Sequence, residues 1–298
     1  MAEPIYANLK KGGGLPPTRF QVFFRRVPYV VVVLITIVAV WVVVAWWNED
    51  DSMADLDALS YGALTDLAQP AAFRRAYLKA NGGLELLNII QSVRMFGHME
   101  SAGVSRPFFS MKKRPDQMLL TFDFETHDLT FAVDGDVVWQ RTRAPGQEEQ
   151  IQVLEGEQAD AFLVMREFFG PMMQLFFLEK GELHQIEIAE WAGEPCLSVR
   201  FSGEGPGVEM EAFVDPKTMN PMVRFERYAD GRVRKTVYDD YRSLRGMQEP
   251  FIVETYMDDE LQSRIVIEQG DSNLGVVSLM FEVPQLWKKG QLGDASIQ

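Results

Sequence analysis

From residue 92 onward the chain alternates apolar and polar positions with a period of two. In residues 117–125, Met118, Leu120, Phe122 and Phe124 point one way and Thr121, Asp123 and Glu125 the other, as in a strand with one apolar face. Leu129, Phe131 and Val133 repeat the pattern, Asp134 and Gly135 supply a tight turn, and Val137, Trp139 and Arg141 continue beyond it. The spacing predicts an antiparallel meander. Further strands are predicted over 183–191, 196–202, 208–214, 222–228, 232–240, 251–257 and 263–268, separated by turn residues such as Gly193, Asp215 with Pro216, and Asp230 with Gly231. A row of about ten strands curls rather than lying flat, which predicts a strongly curved sheet or an open barrel.

Helical spacing appears in three places. Ala72, Phe73, Ala76 and Tyr77 put one apolar face on a helix over 70–80, Asn81, Gly82 and Gly83 end it, and a second short helix follows over 84–90. Residues 53–67 read as a modest helix or tether. Within the strand-rich region, residues 157–178 carry Phe162, Leu163, Met165, Phe168, Phe169, Met172, Met173, Leu175, Phe176 and Phe177 at helical intervals, interrupted near Gly170 and Pro171. Two short helices are predicted, more apolar than a surface helix requires. They either plug the inner face of the sheet as ordinary core, or form a lid over an apolar cavity, for which pliable Met and Phe side chains make a suitable wall. In the lid reading the wall is Phe162, Met165, Phe168, Phe169, Met172, Met173, Phe176 and Phe177 from the helices and Met118, Leu120, Phe122, Phe124 and Trp139 from the sheet.

One segment fits none of these patterns. Residues 27–47 form a run of 21 without charge, apolar on every face, preceded by Arg25 and Arg26 and followed by Glu49, Asp50 and Asp51. At about 1.5 Å rise per residue, a helix of that length crosses the roughly 30 Å hydrocarbon core of a bilayer. The run is too long for a signal-peptide core and ends in Val44, Ala45, Trp46 and Trp47 rather than in a small-residue cleavage site, so an uncleaved anchor is expected. Lys10, Lys11, Arg19, Arg25 and Arg26 precede it, which keeps the N-terminus in the cytoplasm and exports the residues beyond the run.

Composition then bounds the exported part. Beyond residue 47 there are 42 acidic against 24 basic residues, a formal charge of −18. Such a surface repels nucleic acid and anionic headgroups and would suit a basic envelope protein as partner. The single cysteine, Cys196, excludes an intrachain disulfide framework and, with no histidine or basic cluster near it, reads as a small buried apolar residue. His98, His127 and His184 are far apart in sequence and form no H-x-x-x-H pair, so no metal and no cofactor is expected. No acid–base pair or nucleophile constellation stands out, and the chain does not read as an enzyme.

Several short motifs occur in a telling order. Two N-terminal helices precede Ser92, Val93, Arg94, Met95, Phe96 and Gly97; then come Lys113, Arg114, Pro115 and Asp116; then Asp134, Gly135, Asp136 and Trp139; and finally Leu279, Met280, Phe281, Glu282, Val283 and Pro284. Together they resemble the bacterial lipoprotein carrier and receptor superfamily, LolA and LolB, over roughly residues 70 to 285, the last motif being similar to that family's final F-x-x-P strand. The resemblance implies an unclosed β-barrel around an apolar cavity, capped by helices, with acyl chains as ligand and a lipoprotein as their source. It also implies a lid latch, since the arginine of the family's Lys-Arg-Pro motif hydrogen-bonds the lid; that position is Arg114. The chain departs from the family in having an inner-membrane span and no lipobox cysteine. A tethered domain cannot diffuse across a periplasm, which argues against shuttling and leaves lipid binding open.

The expected organisation is a basic cytoplasmic tail over 1–26, a transmembrane anchor over 27–47, a tether over 48–69 and a periplasmic domain over 70–298. That domain is expected to be mainly β (α+β), a strongly curved antiparallel half-barrel with short lid helices. The expected function is binding of a lipid or other long apolar ligand at the cell envelope, with the inner (plasma) membrane as the place of attachment. The competing reading is a non-enzymatic envelope scaffold or stress-sensor module whose barrel is filled with side chains.

Overall fold

The computed structural model of the chain describes residues 61–203 and 208–284. The expected basic tail, the expected anchor at 27–47 and most of the expected tether therefore lie outside the described residues, and among the described residues no helix is long and apolar enough to cross a membrane.

Three helices come first, α1 (Tyr61–Leu67), α2 (Pro70–Ala80) and α3 (Gly83–Ile89). Pro70 opens α2 where the backbone N–H has no intrahelical partner, so nothing is lost by its absence. Phe73, Tyr77 and Leu78 bury one face of that helix, the face set by their i, i+4 spacing. Gly82 separates α2 from α3 at φ 90°, and a Cβ there would strike the Leu86 side chain and come within 3.0 Å of the Gly246 carbonyl oxygen.

The strands follow as β1 (Ser92–Ser101), β2 (Val104–Lys113), β3 (Gln117–Phe124), β4 (His127–Asp134), β5 (Val137–Arg143) and β6 (Gln150–Leu154). Two short helices, α4 (Glu157–Met165) and α5 (Pro171–Phe176), then lead into β7 (Glu182–Trp191), β8 (Glu194–Ser202), β9 (Val208–Val214), β10 (Pro221–Tyr228), β11 (Val233–Leu244), β12 (Met247–Met257) and β13 (Glu260–Ser272). All pair in one antiparallel sheet of 13 strands in the order β6-β5-β4-β3-β2-β1-β13-β12-β11-β10-β9-β8-β7. The first meander thus runs out to one edge, α4 and α5 carry the chain to the opposite edge, and the second meander returns until β13 lies beside β1. The seam runs from Val93 against Ser272 to Glu100 against Arg264, with a bulge at Phe96 and Gly97. Gly97 is required there: a Cβ would lie 2.0 Å from the Val266 carbonyl oxygen of β13.

The inner face of the sheet carries two packed clusters. Helices α2, α3 and α5 bring Phe73, Tyr77, Leu87, Met173 and Phe176 against Leu197, Val199, Ala212, Phe251 and Ile267. Helix α4 brings Ala159 and Phe162 against Met118, Val133, Val138 and Leu154 of β3 to β6. Each interrupting helix thus covers one half of the sheet.

The outer face is covered in part by the residues after β13. A 3₁₀ turn at Ser278–Met280 leads to Phe281, fully buried against Met111 and Leu119, and to Val283, packed on Ala132 and Trp139. Two expectations change here. The final motif is a 3₁₀ turn followed by a strap of irregular backbone rather than a strand. Trp139 is not a wall of the inner cavity. Its neighbour Val138 faces α4, so the two-residue alternation turns the indole outward, where Nε1 donates to the Phe281 carbonyl at 2.7 Å.

Candidate functional site

Between the two sheet edges the segment 157–178 packs its apolar side chains on the sheet and is tied further by cationic side chains donating to backbone carbonyls. Arg74 of α2 donates from Nε to the Phe176 carbonyl at 2.9 Å and pairs with Glu179 at 2.5 Å. Lys112 of β2 donates to the Glu167 carbonyl at 2.8 Å. Arg166 donates to the Gly135 carbonyl and reaches Asp136 at 3.1 Å, which ties the segment to the β4–β5 turn. Arg114, the residue implied as latch, spends its hydrogen bonds elsewhere, on the Leu87 and Ile90 carbonyls at the end of α3 at 3.2 and 3.3 Å. It meets the segment through the Phe169 ring, 5.4 Å from the guanidinium carbon. The three carbonyl ties were missed in the sequence because each joins elements far apart in the chain.

The predicted wall residues divide by position. Phe169, Met172, Met173 and Phe176 are buried within the main cluster, and Phe176 packs on the rings of Phe73 and Tyr77. Phe168 and Phe177 pack edge-on against Phe169, and Phe162 stacks on Phe131 at 4.4 Å. Met165 is exposed. These helices fill the inner face more than they roof an empty space: what is left beneath them is a cavity of about 160 Å³. That is below the ~300 Å³ at which pockets for drug-sized ligands begin.

Away from the helices, β3 and β4 keep apolar side chains on the inner face, with Arg106 and His127 at their far end. The register sets Leu120 beside Phe131, Phe108 and Leu129 on either side of Phe122, and His127 beside Phe124. Arg106 lies over the Phe124 ring, its guanidinium carbon 5.0 Å from the ring centre. Leu120, Phe122, Phe124 and Leu129 are only half-buried and belong to no packed cluster among the described residues. Met118 alone of the four predicted β3 wall residues is sealed, under α4.

The cavity itself is polar at one side. Tyr77, Tyr238, Tyr241, Arg224, Asn220 and Glu249 line it opposite Phe169, Met172 and Met173. Arg224 gives its Nε and Nη2 donors to Glu226, at 3.1 and 2.6 Å, and Glu226 also accepts from Tyr228 and Arg234. Tyr241 donates to the Pro221 carbonyl at 2.7 Å. Burial pushes the Glu249 carboxyl up to about 7, with the Lys112 charge pulling the other way. Burial likewise holds the Lys112 ammonium below the usual lysine range, with Glu249 and then Glu167 opposing it.

The remaining candidates for chemistry are dispersed. His98 pairs with Glu268 at 2.9 Å, His127 stacks on Phe124, and His184 stands on β7. Among the described residues no group of three metal-ligating side chains converges. Cys196 is fully buried, and burial, followed by the charge of Glu190, pushes its thiol up to about 11, too high for a reactive thiolate.

No protein-family model and no curated protein sequence matches the chain. Solved structures do. A DUF1329 family protein from Desulfovibrio piger is 12% identical and superposes with a TM-score of 0.50 over 70% of this chain and 96% of that one. A LolA superfamily protein from Nitrosomonas europaea is 10% identical, with a TM-score of 0.48 over 70% of this chain and 97% of that one. At such identities the likeness is one of fold alone.

Proposed function

We propose that this chain is a membrane-anchored domain of the bacterial envelope that holds a lipid or another long apolar ligand against the inner face of its half-barrel, without catalysing a reaction. The observation that carries the reading is the row of Leu120, Phe122, Phe124 and Leu129, half-exposed on the inner face of the sheet beside the clusters packed under the helices. Uncovered apolar side chains in a concave setting mark a binding surface, because each ~25 cal/mol per Å² of apolar area removed from water favours an occupant. The charge asymmetry around residues 27–47 supports attachment to the inner membrane with this domain on the periplasmic side.

Native mass spectrometry of the full-length chain, released from a mild detergent, tests the reading. A retained lipid is expected, and it should be reduced in Phe122→Asp, since a carboxylate set in an apolar wall costs several kcal/mol unless paired or protonated. Strand-type circular dichroism has to be unchanged for the comparison to count. A lipid-free spectrum, or equal retention by the folded variant, would defeat it.

A second reading has its own support. The small cavity and the tight packing of Phe169, Met172, Met173 and Phe176 are what a filled barrel shows, and a filled barrel with an acidic surface suits a scaffold that docks a basic envelope protein. In that case no lipid is retained.

A further inference from the structure

The cavity beneath α2 and α5 carries chemistry that an apolar ligand does not use. Its walls combine aromatic rings, from Tyr77, Tyr238 and Phe169, with two hydrogen-bond acceptors, Asn220 Oδ1 and the Glu249 carboxylate. Asn220 Oδ1 is buried without a partner, and the half-buried Glu249 has the Lys112 charge near it but, among the described residues, no hydrogen bond. A buried acceptor such as Asn220 Oδ1 costs free energy unless something donates to it. Arg224 lines the same space, its Nε and Nη2 donors given to Glu226 and its guanidinium carbon 5.8 Å from the centre of the Tyr238 ring. Aromatic walls with a carboxylate form the environment that attracts an organic cation, whose charge interacts with ring faces while the carboxylate serves as counter-ion. The volume, about 160 Å³, is close to the ~150 Å³ that admits a guest of benzene size.

We propose that this cavity is a binding site for a small organic ammonium group, with Glu249 as its counter-ion, Asn220 as an acceptor for its N–H, and Tyr77, Tyr238 and Phe169 as its aromatic wall. The site does not depend on the apolar row of β3 and β4, and stands or falls without it.

Binding is tied to pH through the groups about Glu249: Lys112 from β2, Tyr77 from α2 and Tyr241 from β11 interact with it, Arg224 from β10 and Tyr238 from β11 share the cavity wall, and Glu167 acts on Lys112. The tyrosines are shifted upward and stay neutral near pH 7, and Arg224 stays charged. A cation prefers Glu249 ionised and Lys112 neutral, and raising the pH favours both. Affinity should therefore rise by about tenfold between pH 6 and pH 8, as a carboxyl near 7 goes from mostly protonated to mostly ionised.

The test is calorimetric titration of the full-length chain, in a sugar-headed uncharged detergent and at constant ionic strength, with tetramethylammonium and with ethanolammonium. Saturable binding is expected for both cations, with ethanolammonium the more sensitive to Asn220→Leu because it alone has N–H groups to donate. Glu249→Gln, which keeps the shape and removes the charge, should weaken both by about tenfold or more. A flat wild-type titration, or equal affinity in a folded Glu249→Gln, overturns the proposal. Should that variant not fold, equal wild-type affinity at pH 6 and pH 8 overturns it as well. Neither probe carries an acyl chain, so failure here leaves the lipid reading intact, and a lipid-free mass spectrum leaves this site intact.

Discussion

Glu249 lines the polar side of the cavity with its carboxyl raised from an ordinary 4.5 to about 7 by burial, and that displacement has a consequence for stability. A carboxyl whose folded value lies above its unfolded one contributes stability that is fully present below the unfolded value and is lost as pH rises through the folded one. The window here runs from about pH 4.5 to just above 7, and the loss amounts to about 3 kcal/mol, the opposing Lys112 charge included. Glu249→Gln should therefore leave chemical unfolding of the domain unchanged at pH 4 and make it more stable than wild type at pH 8. A denaturation series across that range in which the two proteins run parallel would mean that Glu249 is solvated. Nothing in the sequence singled out Glu249, because burial of one carboxylate depends on which strands meet across the sheet. Trp139 shows the same limit in another form. Alternation says that Val138 and Trp139 face opposite ways, but the inner face is covered by α4 and the outer by the strap at Phe281, so both residues are buried and the pattern cannot say which is inside.

At the scale of elements, the interrupting helices join the two meanders and cover the inner face. Their break was legible in part: Pro171 opens α5 after Gly170, as a residue without an N–H does best at a first turn, whereas α4 already ends at Met165, five residues before that signal. Strand β2 was not legible, since Pro107 and the inward Lys112, Ser110 and Arg106 spoil its alternation; Pro107 is tolerated because the pairing with β3 begins only at Phe108. The segment 157–178 is anchored at its end by Arg74 and in its middle by Lys112, each a charge-assisted bond to a carbonyl and each contributing about 1.5 to 3 kcal/mol where shielded. Arg74→Leu together with Lys112→Met should raise amide exchange across 157–178 while β8 to β12 stay protected. Arg114→Leu should act first on α3, whose last carbonyls it caps, and on the segment only through Phe169. Exchange in 157–178 that is unmoved by the double variant would show that apolar packing alone holds these helices down.

For the whole molecule, the order of elements was readable but the closure was not. Each hairpin joins neighbours in sequence, so turn residues announce it, whereas the β1–β13 seam joins residues more than 150 positions apart and leaves only Gly97 as a local trace. That seam makes two meanders into one half-barrel, and it sets β6 and β7 as the edges that α4 and α5 must span. The position of this domain in the cell rests on a different argument, the charges about residues 27–47. Five basic residues precede the run and the first charges after it are acidic. Moving those five across a bilayer is disfavoured, whereas acidic residues contribute little to orientation, so the N-terminus should stay in the cytoplasm. A reporter that is active only outside the cytoplasm should therefore work when fused after Gln298 and fail when fused before Pro4. Activity of the N-terminal fusion alone would reverse the orientation and place the half-barrel in the cytoplasm. A C-terminal fusion that is exported but recovered free of the membrane would instead show that the run is cleaved, and that the domain can travel to its ligand rather than wait for it at the inner membrane.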